Sequence, residues 1–151
     1  MLIKMNKKFY IAYGSNLSVE QMAIRAPDAE LAGTATLKDM RLIFKTHATV
    51  EPCENCEVPC LVWRISEHDE RNLDNYENWP KYYIKKFLEI NIKPFEDNSP
   101  SFKANAMIYI MTDGRSISQP SKEYYKTIEA CYEKFNFNKN ILYKALKSSI
   151  I

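Results

Sequence analysis

The sequence predicts an α+β domain: a strand-rich middle closing into a small barrel, with helices at the ends and one inserted. Three observations carry this. Short aromatic and β-branched runs alternate with turn residues between Phe9 and Met111. Helical spacing of apolar residues is confined to segments near 18–26, 66–77 and 121–147. The order of these segments does not follow a regular strand–helix–strand alternation. Strands of this length around a site fit a mixed or an antiparallel barrel, and periodicity alone does not decide closure.

Phe9–Tyr13 reads as a buried strand ended by a tight turn at Gly14-Ser15-Asn16. Ser18 is the N-cap of a short helix, with Gln21 in capping-box spacing, and Pro27 sets its end. Leu31–Lys45 reads as one long strand or a bent pair. Val50–Pro59, with two prolines, three acids and two cysteines, reads as a loop before the strand Leu61–Ile65. Ser66 caps the next helix, with Asp69 three residues on and Leu73 and Tyr76 on one side; Pro80 breaks it.

Tyr82–Pro94 has a two-residue period through Ile84, Leu88, Ile90 and Ile92, broken at Lys86. Asp97-Asn98-Ser99-Pro100 is a turn, and Ala104–Met111 is a strand with Met107, Tyr109 and Met111 on one face. Ser121 and Glu123 open a helix with Ile128, Cys131, Tyr132 and Phe135 in a stripe; a last helix spans about Asn138 to Lys147.

The chain of 151 residues fits one domain, taken as residues 1–151, and a domain of this size needs no metal or disulfide to hold a core. Its 21 basic and 19 acidic residues leave a formal charge of +2, which is no electrostatic footprint for nucleic acid. No apolar stretch approaches the ~20 residues of a membrane span. The basic start is followed only by the short run Phe9–Tyr13, so a cytoplasmic location is expected, with the start at Met1 or Met5 left open.

Two places carry chemistry. A buried strand ending in Gly-Ser-Asn before a helix leaves free backbone N–H groups that can cradle a carboxylate or phosphate. Gly14 permits close backbone approach and positive φ, and Asn16 can tie the loop through its amide. Taken alone, the turn reads first as an ordinary strand-to-helix connection. Glu77 closes a helix next to Trp79, Tyr82 and Tyr83; the negative helix end and desolvation would raise its pKa toward that of a general base. Taken alone, it reads first as a solvated surface glutamate. Cys53, Cys56 and Cys60 form C-x2-C-x3-C, where free thiols are expected over a structural zinc. His47 and His68 belong to no nucleophile motif.

Together these features resemble the γ-glutamylcyclotransferase-like family. Tyr10-Ile11-Ala12-Tyr13-Gly14-Ser15-Asn16-Leu17 is similar to its glycine-turn signature, and Leu73-Asp74-Asn75-Tyr76-Glu77 to its Leu-Asp-x-x-Glu motif. Tyr109 resembles its substrate-contacting tyrosine, and Pro120–Tyr125 its C-terminal helix entry. Asn78 departs from the glycine that often follows the glutamate.

The resemblance implies a small mixed β-barrel with flanking helices and a site at its mouth. It implies Glu77 as catalytic acid/base and Tyr10, Ile11, Ala12, Tyr13, Gly14, Ser15, Asn16 and Tyr109 as substrate-binding residues. The implied reaction is intramolecular aminolysis of a γ-glutamyl amide to 5-oxoproline, of lyase or acyltransferase type, with no cofactor or metal. The implied partner is a small γ-glutamyl substrate, not nucleic acid or membrane. A non-catalytic γ-glutamyl- or anion-binding module of the same fold is the alternative.

Overall fold

The structure, a computed structural model, describes residues 7–96 and 98–150; the alternative starts at Met1 and Met5, and Asp97 of the expected turn, lie outside them. Among the described residues, five strands close into a mixed barrel in the order β1-β3-β2-β4-β5. The strands are β1 (Lys8–Ala12), β2 (Glu30–Lys45), β3 (His47–Ile65), β4 (Tyr83–Pro94) and β5 (Phe102–Met111). The helices are α1 (Val19–Arg25), α2 (Glu67–Glu77), α3 (Lys122–Lys134) and α4 (Lys139–Ser149).

β1 is short because it is central. It pairs antiparallel with β3 (Tyr10↔Trp63) and parallel with β5 (Tyr10↔Met107), so both its edges are used. Its inner residues Tyr10, Ile11 and Ala12 are all buried. A run without alternation is what burial on both faces requires.

β2 and β3 form one long hairpin that turns at Thr46, whose φ is 69°. Here the sequence reading is corrected. Val50–Pro59 is no loop: it continues β3, with Met40↔Pro52 and Thr36↔Pro59 still in register. The polar composition reflects the solvent-exposed stretch of the hairpin around Pro52–Glu57, not a break in pairing. At Asp39 the register shifts, and the carboxylate of Asp39 accepts the Asn55 N–H at 3.0 Å. Asp39 and Asn55 both take the left-handed conformation that short polar residues tolerate (φ 59° and 64°).

That bend brings the Cα atoms of Cys53 and Cys56 to 5.5 Å, and the two are joined as a disulfide. The expectation of free thiols is corrected for this pair. Cys60 and Cys131 are free and buried.

Closure depends on Gly33. β2 meets β4 through only Gly33↔Pro94 and Thr34↔Lys93. A Cβ on Gly33 would lie 2.2 Å from the Lys93 carbonyl oxygen, so only glycine admits this approach. On β4, Ile90 and Ile92 are buried as expected, but Ile84 is exposed.

The helices form where capping predicts. The Ser18 hydroxyl accepts the Gln21 N–H to open α1. Ser66 and Asp69 make a reciprocal capping box at α2, and the fully buried Asp69 also accepts the Asp28 N–H at 3.1 Å. One box thus fixes both the start of α2 and the chain that leaves α1. Ser121 and Asn138 cap α3 and α4. Leu73 of α2, Ile128 and Tyr132 of α3 and Leu142 of α4 are buried against the barrel.

Candidate active site

β1 ends at Ala12, and Tyr13-Gly14 leads into a single 3₁₀ turn, Ser15–Leu17. Gly14 has φ −120° and ψ −129°, so the expected positive φ is not what requires glycine here. Proximity favours it: a Cβ would stand 3.2 Å from the Ala48 Cβ and 3.3 Å from the Tyr124 hydroxyl, tight enough that these neighbours would have to shift by a few tenths of an ångström. Outside the ladders the only N–H bonds of the turn are Leu17 to the Gly14 carbonyl and Ser18 to the Ser15 carbonyl.

Asn16 ties the turn together, as its amide suggests. Its Nδ2 donates to the Tyr10 hydroxyl (2.8 Å), and its Oδ1 accepts from the Arg25 guanidinium (2.6 Å). Its backbone carbonyl accepts the Trp63 indole N–H (3.2 Å).

Opposite this turn stands the end of α2. Glu77 is its last residue, and Asn78 caps it in the left-handed conformation, φ 53°. After glycine, asparagine is among the residue types that most readily take that conformation. The backbone can therefore reverse directly after Glu77 while its side chain stays in the site.

Turn and glutamate face one cavity of about 230 Å³. Tyr10, Ile11, Tyr13, Gly14, Ser15 and Asn16 line one side of it, and Tyr76, Glu77 and Asn78 another. Tyr82 and Tyr83 before and at the start of β4, Tyr109 of β5, His47 and Ala48 of β3, and Tyr124 of α3 complete the wall. Of the residues expected to bind substrate, Ala12 alone is absent from the wall; it is buried in the core behind the turn.

Burial pushes the Glu77 carboxyl up to about 7, and the Arg25 guanidinium only partly opposes this. Desolvation of the charged form is the cause, because the surrounding phenol rings replace water. Trp79 does not contribute as the sequence suggested: it is 41% exposed and stacks under the Lys85 ammonium instead. Glu77 makes no side-chain hydrogen bond or ion pair among the described residues, which leaves its carboxyl free for a ligand. The phenols of Tyr10, Tyr13, Tyr83, Tyr109 and Tyr124 are all raised, chiefly by burial, and remain protonated.

The position of Glu77 is braced from behind. Lys85 Nζ pairs with Glu70 at 2.7 Å and Asp74 at 2.8 Å, and the Tyr109 hydroxyl donates to Asp74. α2 is thereby fastened to β4 and β5 one turn before Glu77.

Sequence reasoning missed His47, Ala48, Tyr76 and Tyr124 as parts of this wall. Nothing local distinguishes them; they arrive from the β2–β3 turn, the α2 end and a helix beyond the barrel. The abundance of tyrosine, ten residues, was the available signal, since seven of them line this cavity.

A closed barrel thus holds, at one end, a half-buried carboxylate with no side-chain partner among the described residues, facing a glycine turn across a small cavity. The profile of the family described as gamma-glutamyl cyclotransferase, AIG2-like, matches residues 10–130, and the chain belongs to that family. It is 30% identical over 131 residues to the gamma-glutamylcyclotransferases of Mus musculus and Homo sapiens. Those alignments cover 79% of this chain and 66% of each relative, so the chain spans just under two thirds of their length.

Among solved structures, a gamma-glutamyl cyclotransferase superimposes with a TM-score of 0.75 at 24% identity, covering 93% of this chain and 86% of that one. YkqA from Bacillus subtilis superimposes with a TM-score of 0.72 at 17% identity, covering 95% of this chain and 54% of that one. Both show the shared fold.

Proposed function

We propose that this chain cyclises γ-glutamyl amides. The substrate's α-amine attacks its own γ-carbonyl, 5-oxoproline forms, and the amine or peptide leaves. The observation that carries this reading is the Glu77 carboxyl: half-buried in the cavity wall, without a hydrogen-bond partner among the described residues, and raised to about 7. A purely anion-binding pocket gains nothing from a carboxylate.

The three tasks divide among the residues on the page. The backbone of Gly14 and Ser15 anchors the α-carboxylate. The α-ammonium gives one proton to solvent; as the resulting amine attacks, Glu77 accepts a second and delivers it to the departing nitrogen. The tyrosine walls, Tyr13 and Tyr109 among them, fold the γ-chain back on itself. Holding that near-attack geometry is worth ~7–11 kcal/mol, more than the ~10²–10⁴-fold expected of one acid/base group. No organic cofactor or metal enters these steps.

A cytoplasmic location belongs to this reading, since the substrates are small polar metabolites. The Cys53–Cys56 disulfide is the one feature that favours an oxidising setting instead.

A panel of γ-glutamyl amides and peptides assayed for 5-oxoproline is the test. At least one member is turned over, and Glu77→Gln abolishes that turnover while the ligand still binds. Turnover unchanged in Glu77→Gln sinks the assignment. No product from any member leaves a binding module of the same fold.

A further inference from the structure

Away from the cavity, the β2–β3 hairpin carries two sulfurs that the proposed chemistry does not use. Lys38 pairs with Glu57, and Met40 with Pro52. Between those pairs β2 has one residue, Asp39, and β3 has four: Cys53, Glu54, Asn55 and Cys56. Four residues opposite one make a bulge, with a cysteine at each foot. The ladder runs on at both sides of it, through Arg41↔Glu51 and Leu42↔Val50 in one direction and Leu37↔Val58 and Thr36↔Pro59 in the other.

Three features let this pair open and close inside the folded protein. The first is geometry. The Cα atoms of Cys53 and Cys56 are 5.5 Å apart, within the span of a disulfide. The paired residues on either side hold the feet of the bulge at that separation. Asp39 and Asn55, both left-handed and joined by the Asn55 N–H bond to the Asp39 carboxylate, shape it without help from sulfur. The second is cost. The bond closes a loop of only four residues, so it removes little freedom from the unfolded chain. Neither cysteine belongs to the buried core.

The third is access. Cys53 and Cys56 are half-exposed, whereas Cys60 and Cys131 are buried. Burial pushes the Cys60 thiol up to about 12 and the Cys131 thiol up to about 11. The Cys60 thiol also donates to the Ala35 carbonyl oxygen at 3.3 Å. Exchange requires a thiolate that a partner can reach, so these two stand outside it.

We propose that Cys53 and Cys56 form a reversible redox site: a dithiol that a low-molecular-weight disulfide converts to the Cys53–Cys56 disulfide, and that a small thiol restores. The steps balance. One cysteine thiolate attacks a sulfur of the small disulfide, whose S–S bond breaks and releases one small thiol. The other cysteine thiolate attacks the protein sulfur of that mixed disulfide and releases the second. The two cysteines give up two electrons and two protons, and the small disulfide gains both. A reducing compartment keeps the dithiol and an oxidising episode writes the disulfide, so the bond and a cytoplasmic location are compatible.

The site is separate from the cavity and independent of the γ-glutamyl reading. Ala48, the nearer wall residue on β3, lies five residues from Cys53, about 17 Å along a strand. Ala48 is held there by the Tyr83 hydroxyl on its carbonyl oxygen and by its own N–H on Tyr124.

In the test, native protein is reduced with dithiothreitol, freed of it, and incubated with 2-hydroxyethyl disulfide. Samples are acid-quenched, alkylated, and read by intact mass and peptide mapping. In the reduced native protein Cys53 and Cys56 alkylate, and Cys60 and Cys131 react slower by about 10²-fold or more. With the small disulfide, the wild type becomes two hydrogens lighter, keeps no adduct and no longer alkylates at Cys53 or Cys56. Dithiothreitol reverses this without denaturant. Cys53→Ser and Cys56→Ser each retain one mixed disulfide instead, because the resolving thiol is gone. Reduced and oxidised wild type share one far-UV spectrum and unfold at nearly the same urea concentration.

Four outcomes overturn the proposal: a mixed disulfide that persists in the wild type, thiols that stay free under the small disulfide, a bond that yields to dithiothreitol only in denaturant, or reduction that unfolds the protein. The last two make the bond a structural staple.

Discussion

Glu77→Gln is expected to make the fold more stable at pH 8 and to leave it unchanged at pH 4. The native carboxyl sits at about 7 because burial disfavours its charge, against an ordinary value of 4.5. At 1.36 kcal/mol per pH unit, ionising Glu77 inside the fold costs about 3 kcal/mol. The sign follows from linkage: a folded pKa above the unfolded one contributes stability below pH ~4.5, and that stability is lost as pH rises through about 7. Glutamine carries no such dependence. Urea unfolding of both proteins at pH 4, 6 and 8 reads the effect. The variant gains about 2–3 kcal/mol at pH 8, a smaller amount at pH 6, and nothing at pH 4. A difference that is constant across pH, or a variant less stable at pH 8, refutes the claim that this carboxylate is held against its solvation preference. The same ionisation governs activity: kcat/KM falls about tenfold per unit as pH drops below about 7.

Gly14→Ala places a methyl 3.2 Å from Ala48 and 3.3 Å from the Tyr124 hydroxyl, so the binding constant for a γ-glutamyl amide, read by calorimetry, weakens about tenfold with little loss of melting temperature. Gly33→Ala drives a Cβ to 2.2 Å from a backbone oxygen that cannot step aside. It lowers stability by about 3 kcal/mol or more, read by urea unfolding, and an unchanged midpoint contradicts the closure of β2 on β4. Thiol titration of denatured protein without reductant gives two reactive groups, Cys60 and Cys131, and four after reduction. Four without reductant contradicts the Cys53–Cys56 bond.

What the sequence made legible was local. Ser18, Ser66 and Ser121 announce their helices because an N-cap is recognised by spacing over three or four residues. Glu77 and the Gly14 turn were legible as a pair through their motifs. Parity failed on β4, where Ile84 belongs by period to the buried set yet is exposed, because at this end of the strand the inward-facing positions are the odd ones, Tyr83 and Lys85. Composition failed on Val50–Pro59, because long-range pairing with β2 outweighs poor strand propensity.

The glycine turn follows directly on β1, the strand that joins the β2–β3 hairpin to the β4–β5 hairpin. Its neighbours there are Trp63 and Met107, far along the chain on either side. Contacts of such long sequence separation form late and slowly. On the reading proposed above, the substrate anchor therefore takes shape only once β1 has docked between the two hairpins. A chain whose β2–β3 and β4–β5 hairpins have formed, but whose first strand has not docked, has much of its secondary structure and no site. Recovery of the activity proposed above is therefore expected to lag behind recovery of secondary structure when the unfolded chain is refolded.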